Sequence, residues 1–155
     1  MTDRKTKIPS DSETIKTEVV CPNDTNPMGI LKGGRLVEWM DIAAAVCAQI
    51  HAGKICVTAS IDSVEFKAPA KLGEIIGIKA KVTRAFNSSM EIFVEAYARN
   101  ATSEKKILVN KAYFTFVALD DEAKPARVPA LKPVTEDELE QYNNAIERKR
   151  KKQMA

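Results

Sequence analysis

The chain has 155 residues, of which 45% are hydrophobic and 29% are charged, so its composition is that of an ordinary soluble globular domain. This composition excludes disordered, collagen-like and disulfide-scaffold proteins. The net charge of +3 is too small to indicate a nucleic-acid-binding protein in the absence of a localised basic face, and the surplus is concentrated at the C-terminus.

The cysteine and histidine content argues against disulfides and metal sites. Cys21, Cys47 and Cys56 show no CxxC spacing and two of them lie in apolar runs, so we expect free and mostly buried thiols. His51 is the single histidine, which leaves no Cys/His cluster for zinc, and we expect no metal. The N-terminus is polar, and no window approaches the roughly 18 apolar residues of a membrane helix. We therefore expect a cytoplasmic protein that binds neither nucleic acid nor membrane.

The first third of the chain predicts a tail, a strand and a helix. Residues 1–12 lack periodicity and are expected to form a mobile tail, whereas the alternation over residues 14–19 predicts a strand. Two prolines and three glycines in residues 21–34 exclude a regular element there. Residues 35–50 contain neither Gly nor Pro and predict a helix that ends near Gly53.

This predicted helix is apolar around nearly its whole circumference, so we expect a sheet to wrap it. One apolar stripe contains Leu36, Met40, Ala43, Cys47 and Ile50, and the adjacent arc contains Val37, Ala44, Ala45 and Ala48.

The sequence after the helix alternates with period two and predicts about four successive strands. In the first of them Ile55, Val57, Ala59 and Ile61 share a face, and an interruption at residues 62–63 indicates a bulge. The order of one strand, one buried helix and then about four strands predicts an α+β fold, with a single curled antiparallel sheet of about five strands around one long helix. The other alternating segments cover residues 76–82, 90–98 and 107–119.

The C-terminal part of the chain predicts a linker and a polar helix. Residues 120–133 carry three prolines and are expected to be extended. The helix begins near Thr135, with acidic residues in its first turn and five consecutive basic residues, 148–152, at its end. Its apolar stripe is short, so we expect it to pack weakly or on a neighbouring subunit. The stripe contains Leu139, Tyr142 and Ile146.

The basic residues give no clear binding site. We interpret the run 148–152 as a solvated helix end, although contact with nucleic acid or an anionic surface would use the same residues. Lys67, Lys71 and Arg84 are either surface charges or contacts for a phosphate-bearing ligand.

Asp41 is the polar residue that stands out in the apolar helix, where a lone buried carboxylate is costly without a partner. Two interpretations remain open. The carboxylate caps nearby backbone amides, or it is a general base or nucleophile in a narrow apolar pocket. Its small neighbours leave room for a slender substrate.

Gly33 and Gly34 stand immediately before this helix, with Asn26 and Gly29 a few residues upstream. Glycines let a backbone approach a ligand, and the free amides of a first helical turn stabilise an oxyanion. The alternative is that the pair only permits a tight turn. The sequence contains no GxSxG, which argues against a serine triad, and GILKGGR lacks the ending of a nucleotide triphosphatase loop.

The stretch PNDTNPMGILKGGRLVEWMDIAAAVCA resembles the signature of the hotdog-fold acyl-CoA thioesterases of the cytosolic acyl-CoA hydrolase branch. The pattern is D-x-N-x-x-G-x-x-x-G-G followed by a helix that contains Met-Asp. The segments VTASIDSVEFKAPAKLGE, VTRAFNSSMEI and YFTFVALD extend the similarity over roughly residues 15–131. We therefore expect a hotdog domain over residues 13–131, after the tail, and a C-terminal extension over residues 132–155.

The resemblance implies an enzyme that hydrolyses fatty acyl-CoA to free acid and coenzyme A, with coenzyme A only as part of the substrate and as product and with no other cofactor. It implies that Asp41 activates water or attacks the thioester, that Asn26 is its polar partner across a homodimer interface, and that Gly33 and Gly34 position the thioester. The dimers are expected to assemble into a trimer of dimers. The implied coenzyme A contacts are Val64, Phe66, Lys67, Pro69, Arg84, Ser88 and Ser89.

Two other functions fit the same fold. A noncatalytic regulatory protein that binds coenzyme A or acyl-CoA would keep the fold without the reaction. A hotdog dehydratase would need a catalytic histidine in the helix, and His51 stands at the wrong end. The presence of both Asp41 and Asn26 favours the enzyme. Lys32 departs from the family pattern, which has an aromatic residue or histidine at this position.

Overall fold

The structure, a computed structural model, describes residues 4–154 and consists of a curled antiparallel sheet around a long helix, with a second helix at the C-terminus. The elements in chain order are β1 (Thr6–Lys7), β2 (Thr14–Val19), α1 (Gly33–Ala52), β3 (Ile55–Phe66), β4 (Ile75–Ala85), β5 (Ser89–Arg99), β6 (Ile107–Leu119), β7 (Ala130–Leu131) and α2 (Glu136–Met154).

The main sheet has the strand order β2-β4-β5-β6-β3, and every neighbouring pair is antiparallel. This arrangement confirms the predicted hotdog architecture of class α+β. The period-two pattern places one side of β4, β5 and β6 against α1, where burial of apolar surface stabilises the fold. The largest fully buried side chains include Ile76, Ile78, Ile92, Phe114, Phe116 and, from α1, Met40.

Helix α1 begins two residues earlier than the sequence predicts. Gly33 and Gly34 form its first turn and do not precede it, because the N–H of Leu36 donates to the carbonyl of Lys32 at 3.1 Å. The sequence predicts a start at residue 35 because glycine has a low helix propensity. The C-terminal end follows the prediction, since Gly53 has φ 66° and its N–H donates to Gln49.

The curled sheet packs against one side of α1 and leaves the other side open within one chain. Ile42, Val46 and Ile50 keep 40–50% of their surface exposed, although Ile50 was expected on the buried stripe. Asp41 is half-buried and not enclosed. One curled sheet reaches about half of a helical circumference, and the opposite side of α1 stays open within one chain.

Strand β3 contains the bulge predicted at residues 62–63, with a register shift between Asp62 and Glu65 and φ 54° at Ser63. A second shift lies between Thr58 and Ser60 and was not predicted. At the start of the strand the opposite face points to the core, since Cys56 is buried and pairs with buried Ala118. The apolar face predicted for this strand is largely exposed, with Ile55 at 68%. β3 is an edge strand, so a one-residue shift there costs little pairing.

Residues 4–12 lie against the domain, in contrast to the mobile tail expected over residues 1–12. β1 pairs in parallel with β7, and Lys7 Nζ donates to the carbonyls of Ile50 at 3.0 Å and of His51 at 2.9 Å. These two carbonyls lie at the C-terminal end of α1, where the helix dipole favours a positive charge. The contacts join residues far apart in sequence, so no local pattern signals them.

The segment 120–133, expected to be an extended linker, is also packed. It folds back through the N–H of Ala126, which donates to Ala118, and it buries Val128 and Leu131. Arg4 Nε donates to the carbonyl of Val128 at 2.9 Å. The prolines of this segment exclude regular structure but do not prevent burial of the apolar residues between them.

Helix α2 packs on the outer face of its own sheet, through contacts that the sequence did not indicate. Of the expected apolar stripe, Leu139 and Ile146 are about half exposed, and Ala145 is the residue of α2 that is buried. Arg148 donates from Nε to Glu91 Oε2 at 3.0 Å, and its guanidinium lies 3.9 Å from the ring centre of Tyr113. The interpretation of the basic run as a solvated helix end is therefore wrong for Arg148.

Candidate active site

Asp41 faces the end of strand β3 nearest to α1. The hydroxyl of Thr58 donates to Asp41 Oδ1 at 2.8 Å. Because the carboxylate is only half-buried, water reaches it, and the buried capping role that the sequence left open does not apply. The hydrogen bond fixes one oxygen of the carboxylate. The second oxygen is available to accept a proton or a hydrogen bond from water.

Thr58 was missed from the sequence. It occupies a position in β3 that the period-two pattern assigns to the polar, outward face. In the structure it shares the face of buried Cys56 and pairs with buried Phe116, so this face points toward α1. No local signal marks a threonine as the partner of an aspartate in another element.

Asn26 organises the loop between β2 and α1. Its side-chain oxygen Oδ1 accepts the N–H of Met28 at 2.9 Å and that of Ile30 at 3.1 Å. The loop is tied further by the N–H of Leu31, which donates to Ala70. Within residues 4–154 of one chain, no hydrogen bond joins Asn26 to Asp41. The carboxamide nitrogen of Asn26 remains a donor for other groups.

The N-terminus of α1 opens into a groove of about 310 Å³, which brings together four of the expected site residues: Gly33, Phe66, Lys67 and Pro69. The Phe66 ring lies so close that a Cβ on Gly33 would stand 3.1 Å from a ring carbon. A larger residue at position 33 would displace the exposed Phe66 ring by a few tenths of an ångström. The first N–H groups of α1 have no intrahelical acceptor and carry the positive end of the helix dipole.

The other expected coenzyme A contacts lie outside this groove. Val64 is half-buried against the core. Arg84 donates to the carbonyl of Tyr142 at 3.0 Å and lies 3.9 Å from the centre of its ring, so it holds α2. Ser88 and Ser89 stand at the β4–β5 turn, and Ser89 lines a second cleft, beneath α2. One chain therefore presents these residues in two separate places.

His51 has a structural role at the C-terminal end of α1. It is fully buried, and its Nε2 lies 2.8 Å from the carbonyl oxygen of Pro129, which requires a proton on Nε2. Burial lowers the pKa of the imidazole, which keeps it neutral. Ten residues of helix separate it from Asp41, about 15 Å along the axis. The structure thus builds no catalytic pair from these two residues.

Within residues 4–154, no group of three or more His, Cys, Asp or Glu side chains is placed to hold a metal ion. No helix in that range combines the length and the apolar character needed to cross a membrane. All three cysteines are free, and burial raises the pKa of Cys47 and Cys56 to about 11.

A curled antiparallel sheet around a helix that begins on two glycines and carries an accessible aspartate defines a hotdog domain of the thioesterase class. The chain belongs to the thioesterase superfamily, whose profile matches residues 28–104. A curated relative, an acyl-CoA thioester hydrolase of Bacillus subtilis named YkhA, is 36% identical over 93% of this chain and 84% of its own. The chain spans only about a quarter of the length of two mouse thioesterases that it matches, 23% of one and 25% of the other.

Solved structures agree with this membership. An acyl-CoA hydrolase of Staphylococcus aureus in complex with butyryl-coenzyme A and coenzyme A is 39% identical, with a TM-score of 0.89 over 96% of this chain and 93% of that chain. The same enzyme has been solved with an Asp, an Asn or a Thr replaced by Ala. A hexameric acyl-CoA thioesterase is 38% identical, with a TM-score of 0.93 over 97% of this chain and 98% of that chain.

Proposed function

We propose that the protein hydrolyses acyl-CoA thioesters to a free acid and coenzyme A. The observation that carries this proposal is the carboxylate of Asp41, accessible to water and held at one oxygen by Thr58 at 2.8 Å. The chain's membership of the thioesterase superfamily supports it. So does the butyryl-coenzyme A complex of the Staphylococcus aureus relative.

The chemistry needs only groups that this chain supplies. A thioester is already activated toward nucleophiles, so a carboxylate that orients and deprotonates water is sufficient. Water oxygen adds to the carbonyl carbon, the negative charge collects on the carbonyl oxygen, and the C–S bond then breaks to release the thiolate, which takes up a proton. The first amides of α1, at Gly33 and Gly34, are suited to stabilise that oxyanion. Direct attack by Asp41 would give an anhydride that water hydrolyses.

We place the complete site between two copies of the chain. Asn26 makes no hydrogen bond to Asp41 within residues 4–154 of one chain, and the open side of α1 carries Ile42, Val46 and Ile50. A second copy would cover this apolar surface and bring its own Asn26 loop toward Asp41. The hexameric relative supports assembly into a trimer of dimers. The free thiols suit a reducing cytosol.

Release of free thiol from acyl-CoA substrates of short, medium and long chain tests the activity. We expect turnover with at least one chain length and no loss of activity after treatment with a chelator. A protein that binds acyl-CoA but releases no thiol at any chain length would be a noncatalytic coenzyme A-binding regulator. Dependence on an added metal ion would contradict the proposed mechanism.

A further inference from the structure

Asn110 on β6 is a buried polar residue for which the fold provides no partner. It is fully buried, and within residues 4–154 neither its side-chain oxygen Oδ1 nor its nitrogen Nδ2 forms a hydrogen bond. Burial of an unpaired amide is costly, and buried polar groups in folded proteins are nearly always paired. The chemistry proposed above does not use this side chain, so its burial requires another explanation.

Asn110 lies one strand inward from the groove at the N-terminus of α1. It pairs directly with Phe66 on β3. Directly opposed residues of antiparallel strands point to the same face of the sheet, with their Cβ atoms roughly 5 Å apart. The Phe66 ring lines the groove and would stand 3.1 Å from a Cβ on Gly33. Phe66 therefore stands between the amide of Asn110 and the groove.

The side chains around Asn110 allow a ligand to reach it. Phe66 is the last residue of the edge strand β3 and is 62% exposed, so its ring can rotate outward with little loss of core packing. On the face of Asn110, Ala96 lies opposite on β5 and Ala112 follows two residues along β6. These two alanines keep bulky side chains away from the amide on two sides.

An asparagine at this position suits a polar group of the substrate. Its amide offers both an acceptor oxygen and an NH₂ donor, so it forms a hydrogen bond with a hydroxyl group or with an oxo oxygen. A methylene group in the same place would leave the amide unpaired. We propose that Asn110 determines the substrate class of the enzyme, by selecting short acyl groups that carry a hydroxyl or oxo oxygen.

The distance from the N-terminus of α1 indicates where on the acyl chain this oxygen lies. The inference rests on the proposed function, in which the thioester carbonyl meets the amides of Gly33 and Gly34. Phe66 lies beside both Gly33 and Asn110. An acyl chain that passes Phe66 reaches Asn110 over roughly 5 Å, which corresponds to an oxygen a few carbon atoms from the thioester. The 3-hydroxyacyl and 3-oxoacyl groups have this form.

An apolar replacement of Asn110 tests the proposal. Asn110→Leu has a similar volume but no polar atom, and Asn110→Val is a smaller replacement that suits a strand and repeats the test if the leucine variant does not fold. The matched control is Thr83→Val, which removes a similarly buried polar atom beneath α2, away from the groove. Thermal unfolding verifies that each variant is folded.

The first readout is the preference for 3-hydroxybutyryl-CoA over butyryl-CoA, taken as the ratio of the two kcat/KM values. We expect a preference of about tenfold in the unchanged protein and in Thr83→Val. In Asn110→Leu the ratio is expected to fall to about one, through a loss of kcat/KM for the hydroxylated substrate. The absence of a preference in the unchanged protein, or an equal preference in Asn110→Leu, would overturn the inference.

The second readout requires no turnover and so separates the inference from the proposed function. Two thioethers that cannot be hydrolysed, S-(3-hydroxybutyl)-CoA and S-butyl-CoA, are compared by calorimetry. The unchanged protein is expected to bind the hydroxylated compound about tenfold more tightly, and Asn110→Leu is expected to bind both alike. This difference in a protein without turnover would support the inference and contradict the proposed function. Equal affinities in an active protein would do the reverse.

Discussion

The catalytic role proposed for Asp41 is tested by a substitution that removes only its charge. Asp41→Asn keeps the size of the side chain and its ability to accept a hydrogen bond from Thr58, but removes the charge that is proposed to activate water. We expect kcat to fall by roughly 10²-fold or more. The affinity for coenzyme A is expected to stay close to its original value. Turnover within a few fold of the unchanged protein would assign Asp41 a structural role.

Thr58 is expected to act as a positioning residue through its hydrogen bond to Asp41. Thr58→Val has nearly the same shape but no hydroxyl, so the carboxylate loses its fixed orientation. We expect kcat to fall by about tenfold, with a smaller effect on KM. Thr58→Ser restores the hydroxyl and is the matched control, expected to recover most of the turnover. Equal losses in both variants would show that the methyl group matters and not the hydrogen bond.

His51 makes the stability of the fold sensitive to acid. Burial holds the pKa of the folded imidazole below its usual value of 6.5. Lys7 and Arg4 act in the same direction, and the hydrogen bond with Pro129 and the charge of Asp11 act against it. The unfolded chain therefore binds more protons, and the free energy of unfolding falls as the pH drops through about 6.5. Protonation would also place a hydrogen on Nδ1, which is buried without a partner.

Denaturant unfolding from about pH 8 to about pH 5 measures this effect. In His51→Gln the amide still donates toward the carbonyl of Pro129 but does not titrate, so the slope of stability against pH in this range is expected to decrease. A variant with an unchanged slope would assign the acid sensitivity to other groups.

At the level of elements, α2 is attached to the sheet by ion pairs, of Arg148 with Glu91 and of Lys81 with Glu138, and by the packing of Ala145 and Tyr142. Glu91 keeps 9% of its side chain exposed and accepts hydrogen bonds from Thr83 and Arg148. Arg148→Met would leave this carboxylate without its cation. We expect a loss of about 2 kcal/mol, below the roughly 3–5 kcal/mol of fully buried pairs, because Arg148 keeps 24% of its side chain exposed.

The double variant Arg148→Met/Glu91→Gln is the control for this prediction. The glutamine keeps an acceptor for Thr83 without a buried charge, so most of the lost stability is expected to return. Additive losses in urea unfolding would show that the two residues stabilise α2 independently.

Strands and helices could be predicted from the sequence because their hydrophobic patterns involve neighbouring residues, whereas contacts between separate elements could not. Hydrophobic periodicity set the order of the strands, the central helix and the bulge near Ser63, because each depends on neighbouring residues. The contacts of Thr58 with Asp41 and of Arg148 with Glu91 join separate elements, and no local pattern encodes them. The Gly-Gly pair at the start of α1 was recognisable, but its close contact with Phe66 was not.

At the level of the whole molecule, one chain leaves surfaces that a second copy would cover. The edge strand β3 has unpaired backbone groups along one side, and Ile55 and Phe66 on it are 68% and 62% exposed. Such an edge is prone to pair with another chain. We expect light scattering to give an even number of subunits, six in the full assembly, in line with the hexameric relative. A catalytically active monomer would contradict both the assembly and the shared site.

Mixed oligomers test whether two copies share one site. Asp41→Asn and Asn26→Ala subunits are each expected to be almost inactive alone. In a mixed dimer, one of the two sites regains both original residues, so random exchange should restore about one site in four. Exchange verified by mass spectrometry with no return of activity would place Asn26 and Asp41 of the same chain in one site.

The pairing of β1 with β7 has a consequence for the order in which the molecule forms. Hydrogen bonds between these segments join residues up to 125 positions apart, as from Ala130 to Lys5. A nascent chain exposes β1 first, and its partner emerges only after all five strands of the main sheet have been synthesised. β1 therefore pairs with β7 late in folding, after the entropy of closing a very long loop has been overcome. The N-terminal segment therefore packs on a domain that has already folded, and its amides should be the first to lose protection in hydrogen exchange.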